Sequence, residues 1–334
     1  MFAYVTLIYG GSKYLDGVIL TGLGLRKQNV KYDLVCLITE DCNKYIDIIN
    51  IVYDKVIVIP YITPNKKFKD DIIIKNYIFE NKFIDTCTKF NIFNKDILNY
   101  DKVLFVDSDL IPIKNFDKLF TYNTPAGWLE YKHNEYKIGW AEHDIKPNSL
   151  IKSDKINLTK KMSSSINGGL YLIEPNKDTF NDIINYLSDN EKFNNKFNGM
   201  YDIFSGKFMK NKYIGEQDIL TTYFKDWYYI SGYYNAWGYD KFRVNGIHMA
   251  GLNYSYNGKK IDYKTWNFQF NDENAYNLHT NLTYVYGINK YPKLKKYILK
   301  NLYILINGKK VKFNEIKNRN ELSPSQLLLF SLLF

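Results

Sequence analysis

The chain predicts an α/β fold built on a parallel, nucleotide-binding type of sheet, and three observations predict it. Runs rich in Val, Ile and Tyr alternate with helix-type segments through the N-terminal third, the pattern of βαβ units. A glycine turn, GGSKYLDG, follows the first run. The run Val103–Ile113, VLFVDSDLIPI, delivers two carboxylates, Asp107 and Asp109, to the end of a buried strand. In an open α/β sheet the carboxyl ends of the strands are where ligands bind.

Element by element, Ala3–Tyr9 reads as the first strand and Val18–Arg26 as the helix after the glycine turn. Leu34–Thr39 is a second strand, Lys44–Asn50 a short helix and Lys55–Pro60 a third strand. A polar loop, PNKKFKDD, precedes a helix-like stretch at Ile84–Phe93 and then the strand that carries Asp107. Asn123–Ser165 has no clear periodicity and reads as a long polar insertion; loops of that size are functional or disordered. Beyond it, Gly169–Ile173 resumes as a strand, with helices at Thr179–Leu187 and Gln217–Phe224. No internal repeat is visible.

With 334 residues, 46% of them hydrophobic, the chain can bury a large core. The net charge of +10 would attract phosphates, anionic membranes or nucleic acid. Lysine is interleaved with Asp and Glu over most of the length, however, so no nucleic-acid partner is expected. The 31 tyrosines accompany an excess of Asn, Ile and Lys that matches the bias of an AT-rich viral or microbial genome. Cys36, Cys42 and Cys87 show neither a C-x-x-C pair nor a metal-ligand spacing, and the first residues lack the cationic and apolar regions of a signal peptide. A cytoplasmic location is therefore expected, and the absence of any run of about 20 apolar residues predicts no transmembrane span. The closing LLLFSLLF reads as a packed terminal element.

Two carboxylates at i and i+2 need a cation, and such a pair could hold a divalent ion against a diphosphate, although an isolated D-x-D also fits a solvated turn. The glycine turn matches neither G-x-G-x-x-G nor G-x-x-x-x-G-K-[ST] and is read as a tight turn. After the D-x-D come Asn167-Gly168-Gly169 entering a strand, Glu216-Gln217 opening a helix, and His248-x-x-Gly251.

In that order the pieces resemble glycosyltransferase family 8, the glycogenin-like retaining enzymes that use nucleotide sugars. YVTLIYGGSKYLDGVILTGLGLRK is similar to the family's opening strand, nucleotide loop and first helix. CTKFNIFNKDILNYDKVLFVDSDLIPIKNFDKLF is similar to its lysine-bearing helix and metal strand. SINGGLYLIEP, GEQDILTTYF and GIHMAG resemble its N-S-G strand, D-Q helix and H-F-x-G turn. The resemblance covers roughly residues 1–270 and implies a GT-A type Rossmann-like catalytic domain there. Residues 271–334 are then a basic, helical C-terminal extension ending in an apolar segment.

The resemblance implies that Asp107, Asp109 and His248 coordinate Mn²⁺, with Mg²⁺ as the alternative, and that a UDP-sugar is the donor. Leu7, Tyr9, Tyr14, Ser108 and Gly251 would line the nucleotide, and Lys89 and Lys264 would neutralise the departing diphosphate. Lys264 rests on K-T-W, a displaced version of the family's K-P-W, whose usual place is taken by Tyr254. Asn167, Glu216 and Gln217, with Glu130, would hold the sugar, because a hydroxyl-rich ligand needs bidentate partners. Asn167 is equally a turn residue, and Glu216 equally an acid favoured in a helix's first turn.

The chain departs from glycogenins where G-D-Q becomes Gly215-Glu216-Gln217, where an acid three residues earlier is Tyr213, and in the length of segment 129–163. These departures put self-glucosylation in doubt and place acceptor choice in the insertion. The expected activity is transfer of a hexose, glucose or galactose, from a UDP-sugar to the hydroxyl of a separate glycan or protein, with retention. A self-glucosylating primer and a nucleotidyltransferase with a similar metal site are the alternatives, and a homodimer is compatible with the resemblance.

Overall fold

The computed structural model describes residues 1–64, 85–132, 145–151, 156, 163–189, 199–202, 207–210, 216–224, 226–236, 244–248, 253–256, 259–262, 275–301, 303–306, 309–312, 315–316, 327 and 331. Four strands pair in parallel in the order β3-β2-β1-β4: β1 (Phe2–Ile8), β2 (Asp33–Thr39), β3 (Lys55–Ile59) and β4 (Lys102–Val106). The apolar runs of β1, β2 and β4 are continuous because both faces of the sheet are covered there, whereas Val58 of the edge strand β3 is exposed. The two-residue period shows in β1, where Ala3, Val5 and Leu7 enter one apolar cluster while Tyr4 and Ile8 enter the other.

β4 is followed by a turn and the short β5 (Leu110–Pro112). β6 (Ala126–Lys132), β7 (Leu150–Ile151), β8 (Ser163–Ile173) and β11 (Trp227–Tyr229) then extend the sheet to eight strands, ordered β3-β2-β1-β4-β8-β6-β11-β7. β8 is antiparallel to both β4 and β6. The hairpin β9 (Gly199–Asp202) and β10 (Lys207–Lys210) stands apart from this sheet, and β12 (Gly246–His248) pairs antiparallel with β5.

The parallel half agrees with the alternation in the sequence, and the second half corrects it. Asn123–Ser165, expected as an irregular insertion, supplies β6 and β7, and β6 lies inside the sheet between β8 and β11. AGWLEYK places a glycine and a charge in the strand, so no period shows. The stretch expected as a helix up to Phe93 is a 3₁₀ turn over Thr86–Phe93, buried from Cys87 to Phe93; a segment enclosed on every side has no amphipathic stripe to display. Asn167–Gly169, expected as a turn, lies inside β8.

Helices flank the sheet: α1 (Leu15–Lys27), the single turn α2 (Ile46–Ile49), α3 (Lys177–Ser188) and α4 (Glu216–Tyr223). α3 starts where Asn176 caps it, its Oδ1 accepting from the Thr179 backbone N–H at 2.9 Å. Two C-terminal helices, α5 (Ala275–Lys290) and α6 (Pro292–Asn301), share the apolar cluster of α1 through Tyr284, Ile288, Leu294 and Ile298. The Tyr297 hydroxyl donates to Asp16 of α1 at 2.6 Å. Most of LLLFSLLF and of the PNKKFKDD loop lie outside the described residues. No helix among the described residues is long and apolar enough to cross a membrane.

Candidate active site

All four parallel strands end at one edge, and β4 brings the D-x-D there. The carboxylates are not on the strand itself, as expected from the sequence, but in the turn after it. β4 stops at Val106; the Asp107 N–H donates to Gly169 O at 2.9 Å and the Leu110 N–H closes the turn on Asp107 O at 3.0 Å. Thr21 of α1 fixes the far side, its hydroxyl lying 2.9 Å from Leu110 O and 3.2 Å from Ser108 O. Ser108 is buried, and its backbone N–H reaches Asp107 Oδ1 at 3.2 Å.

β12 lays His248 opposite Leu110 in the β5 pairing, so the imidazole comes to the turn through the sheet ladder. His248 Nε2 is 3.1 Å from Asp109 Oδ1, and ligand atoms of Asp107, Asp109 and His248 all lie within 4.8 Å of one another. Two carboxylate oxygens and one imidazole nitrogen suit a divalent cation such as Mn²⁺ or Mg²⁺ and leave coordination positions for another ligand. Burial raises the Asp107 carboxyl against the pull of Lys89. Burial acts the same way on Asp109, but His248 and Lys89 outweigh it and hold this carboxyl below the ordinary range.

Beside the acids sits a buried ion pair. Lys89, 6% exposed, donates to Asp107 Oδ2 and to Glu216 Oε1, both at 2.9 Å, and Glu216 is itself only 5% exposed. Burial alone would lower the Lys89 ammonium; the Asp107 and Glu216 carboxylates reverse this and raise it, so it stays charged.

The two glycines of Asn167-Gly168-Gly169 have a steric cause. A Cβ on Gly168 would lie 2.7 Å from Glu216 Oε1, and one on Gly169 would lie 2.3 Å from His248 Cε1. Gly168 N–H donates to Gln217 Oε1 at 3.1 Å. β8 therefore lets the start of α4 and the imidazole of β12 approach the same stretch of backbone. Asn167 is buried, its Oδ1 accepting from the Gly169 N–H at 2.9 Å.

Over the metal-type cluster lies the loop after β1. Gly10 and Gly11 take φ of +71° and +80°, which glycine adopts without Cβ strain. The Gly10 N–H donates to the Tyr61 hydroxyl at 2.9 Å, and that hydroxyl donates to Asp41 Oδ1 at 3.1 Å. Tyr9 and Tyr14 stand 6.4 Å apart by ring centroids. Burial, then the Asp109 and Asp107 carboxylates, pushes the Tyr14 hydroxyl up to about 12, so it remains neutral. Leu7 packs into the apolar cluster beside Val5 and Ile59.

Thus Asp107, Asp109, His248, Lys89, Asn167, Glu216 and Gln217, from five separate segments, meet at one place. Gly251, Lys264 and Tyr213 lie outside the described residues, as do the side chains of Glu130 and Tyr254 and much of segment 129–163. Thr21, Tyr61 and Asn235, which support the site, carried no signal in the sequence: each is a single polar residue in a segment of ordinary pattern.

No protein-family profile matches the chain. Among relatives, the uncharacterized protein R707 of Acanthamoeba polyphaga mimivirus is 32% identical over 268 residues, spanning 80% of this chain and 83% of that protein. Galactinol synthase 2 of Arabidopsis thaliana is 25% identical over 243 residues, and the chain spans 61% of its length. An Arabidopsis inositol phosphorylceramide glucuronosyltransferase is 26% identical over 175 residues, of whose length 28% is covered. Solved structures that align include glycosyltransferase GlyE of Streptococcus pneumoniae TIGR4, at 17% identity over 78% of this chain and 57% of that one, TM-score 0.43. Galactosyltransferase LgtC, solved with donor and acceptor sugar analogs, aligns at 13% identity over 76% and 88%, TM-score 0.45. Superposition at these scores is loose, and kinship rests on the sequence relatives. The chain belongs to one family with the mimivirus protein R707, and its galactinol synthase and glucuronosyltransferase relatives support a glycosyltransferase of the family 8 type.

Proposed function

We propose that this GT-A type enzyme transfers a hexosyl group from a UDP-sugar to an acceptor hydroxyl with retention of configuration, in the presence of Mn²⁺ or Mg²⁺. The observation that carries the reading is the meeting of Asp107, Asp109 and His248 with the buried Lys89–Glu216 pair at the ligand edge of the sheet. A divalent cation held by the three ligands would withdraw electron density from the departing diphosphate.

The remaining chemistry belongs to the chain's own groups. The Lys89 ammonium, kept charged by its two carboxylates, faces the position where negative charge grows as the sugar leaves. Tyr9 and Tyr14 cover the nucleotide side, and Gly10 and Gly11 let backbone approach it. Asn167 and Gln217 hold sugar hydroxyls. Glu216, one methylene longer than the family's aspartate, is tied at 2.9 Å to Lys89. A carboxylate oxygen engaged by an ammonium is a weaker nucleophile, which favours front-face attack by the acceptor over a covalent sugar–enzyme intermediate.

The test is thermal stabilisation followed by turnover. UDP with Mn²⁺ should stabilise the protein where an oligonucleotide or a nucleoside triphosphate does not. A panel of UDP-glucose, UDP-galactose and UDP-glucuronate, the last prompted by the glucuronosyltransferase relative, should reveal the donor by released UDP. Asp109→Ala should retain the fold and lose Mn²⁺-dependent release of UDP. Hydrolysis at the parental rate in that variant would move the site elsewhere, and stabilisation by a nucleoside triphosphate alone would favour the nucleotidyltransferase alternative.

A further inference from the structure

The segment between β11 and β12 does more than connect them. A 3₁₀ turn, Gly232–Tyr234, is capped by Ser231, whose hydroxyl accepts from the Tyr233 N–H at 3.3 Å. Its exit is sewn to β12 by three backbone bonds: Asn245 N–H to Tyr233 O at 2.6 Å, Ala236 N–H to Gly246 O at 3.1 Å and His248 N–H to Ala236 O at 2.8 Å. The backbone that carries His248 is therefore anchored on the residue next to Asn235.

Asn235 is 0% exposed, and its Nδ2 donates to Asn167 Oδ1 at 2.7 Å across 68 residues of sequence. That oxygen also accepts the Gly169 N–H at 2.9 Å. With two donors on one carbonyl oxygen, the Asn167 amide cannot flip: a flip would set its NH₂ against two N–H donors. Asn235 Oδ1 has no hydrogen-bond partner among the described residues. A buried asparagine whose acceptor is unmatched and whose donor is well placed acts through the donor.

We propose that Asn235 is a positioning residue for sugar transfer: it locks the Asn167 amide in one orientation, with Oδ1 held by the two N–H donors and Nδ2 presented as the donor to the sugar. This rests on the reading of Asn167 as a sugar-binding residue. The Asn235 side chain reaches Asn167, the residue assigned to the sugar, so its effect should fall on the sugar and spare the nucleotide.

Asn235→Asp removes the donor at nearly constant volume, and Asn235→Ala removes the whole amide; Asn167→Ala and the double variants complete a cycle. Calorimetry with UDP and Mn²⁺ serves as the control for folding and nucleotide binding. The expected result is UDP affinity within about twofold of the parent with kcat/KM for the UDP-sugar lower by roughly tenfold, the scale of one lost hydrogen bond. In the Asn167→Ala background the Asn235 substitutions should add less than about twofold, because the residue they act through is gone. Additive losses in the double variants, a fall in UDP affinity parallel to the fall in turnover, or unchanged turnover in both Asn235 variants would overturn the proposal. Parental turnover in Asn167→Ala would remove the sugar-binding reading itself. A loss there with none in the Asn235 variants would remove only the positioning role.

Discussion

At the residue scale the proposed site separates groups that could hold a cation from groups that would manage charge. His248 approaches Asp109 and contributes its imidazole to the cluster, whereas Lys89 touches Asp107 only as an ion-pair partner. His248→Ala should therefore raise the Mn²⁺ concentration needed for half-maximal activity by about 10-fold or more. Lys89→Ala should lower kcat more than it shifts the Mn²⁺ requirement. It also strands Glu216 in a buried position without its ammonium, a loss of about 3–5 kcal/mol by the usual measure of a broken buried pair. Lys89→Arg is the better first variant because it keeps the charge. Titrating Mn²⁺ against each variant separates the roles, and equal small effects from both would mean that neither group serves the reaction. These residues were legible in the sequence because their motifs are short and ordered. Thr21 and Asn235 were not, because a lone buried hydroxyl or amide announces nothing until its partner is placed opposite it.

At the element scale the decisive feature is β8, which runs antiparallel between β4 and β6 and brings Asn167, Gly168 and Gly169 against α4 and β12. The sequence read these three residues as a turn, because adjacent glycines break strands more often than they pack in them. Here their missing side chains make room for Glu216 and for the His248 ring. Gly169→Ala should then displace the imidazole: a methyl group 2.3 Å from Cε1 forces the ring or the strand to move. The expected outcome is a loss of Mn²⁺ activation of about 10–100-fold, the range typical of disturbed support around a metal ligand, with a smaller change in thermal stability. Parental Mn²⁺ dependence in Gly169→Ala would show that the close approach has no functional weight. β6 escaped the sequence reading for a related reason, since its period is broken by Gly127 and a charged residue.

At the scale of the whole molecule, the C-terminal helices are built onto the catalytic sheet and not hung from it. Tyr284, Ile288, Leu294 and Ile298 join the cluster that α1 covers, and Tyr297 reaches Asp16 near the start of α1, just after the nucleotide-type loop. The proposed transfer goes to a separate acceptor, a reading motivated by Tyr213 in place of an acid and by the long segment 129–163. Incubated with Mn²⁺ and the UDP-sugar that it hydrolyses, the protein should release UDP at unchanged intact mass. Successive additions of one hexose mass to the chain would instead establish self-glycosylation, and peptide mapping would identify the accepting tyrosine.

The sequence by itself determined the parallel half of the sheet and the D-x-D at its edge, while the histidine and the lysine were singled out by the resemblance to family 8. Local hydrophobic runs and short motifs encode the strands and the acids directly, because strand burial and turn chemistry are properties of neighbours in sequence. Only the tertiary structure decided that Asp107 and Asp109 converge from a turn, that Lys89 bridges Asp107 to Glu216, and that Asn235 grips Asn167. Those contacts, together with that of His248 with Asp109, join residues from 18 to 139 positions apart. They are set by antiparallel insertion of β8 and by the β5–β12 ladder, pairings whose register depends on partner strands remote in the chain and is written in no single segment.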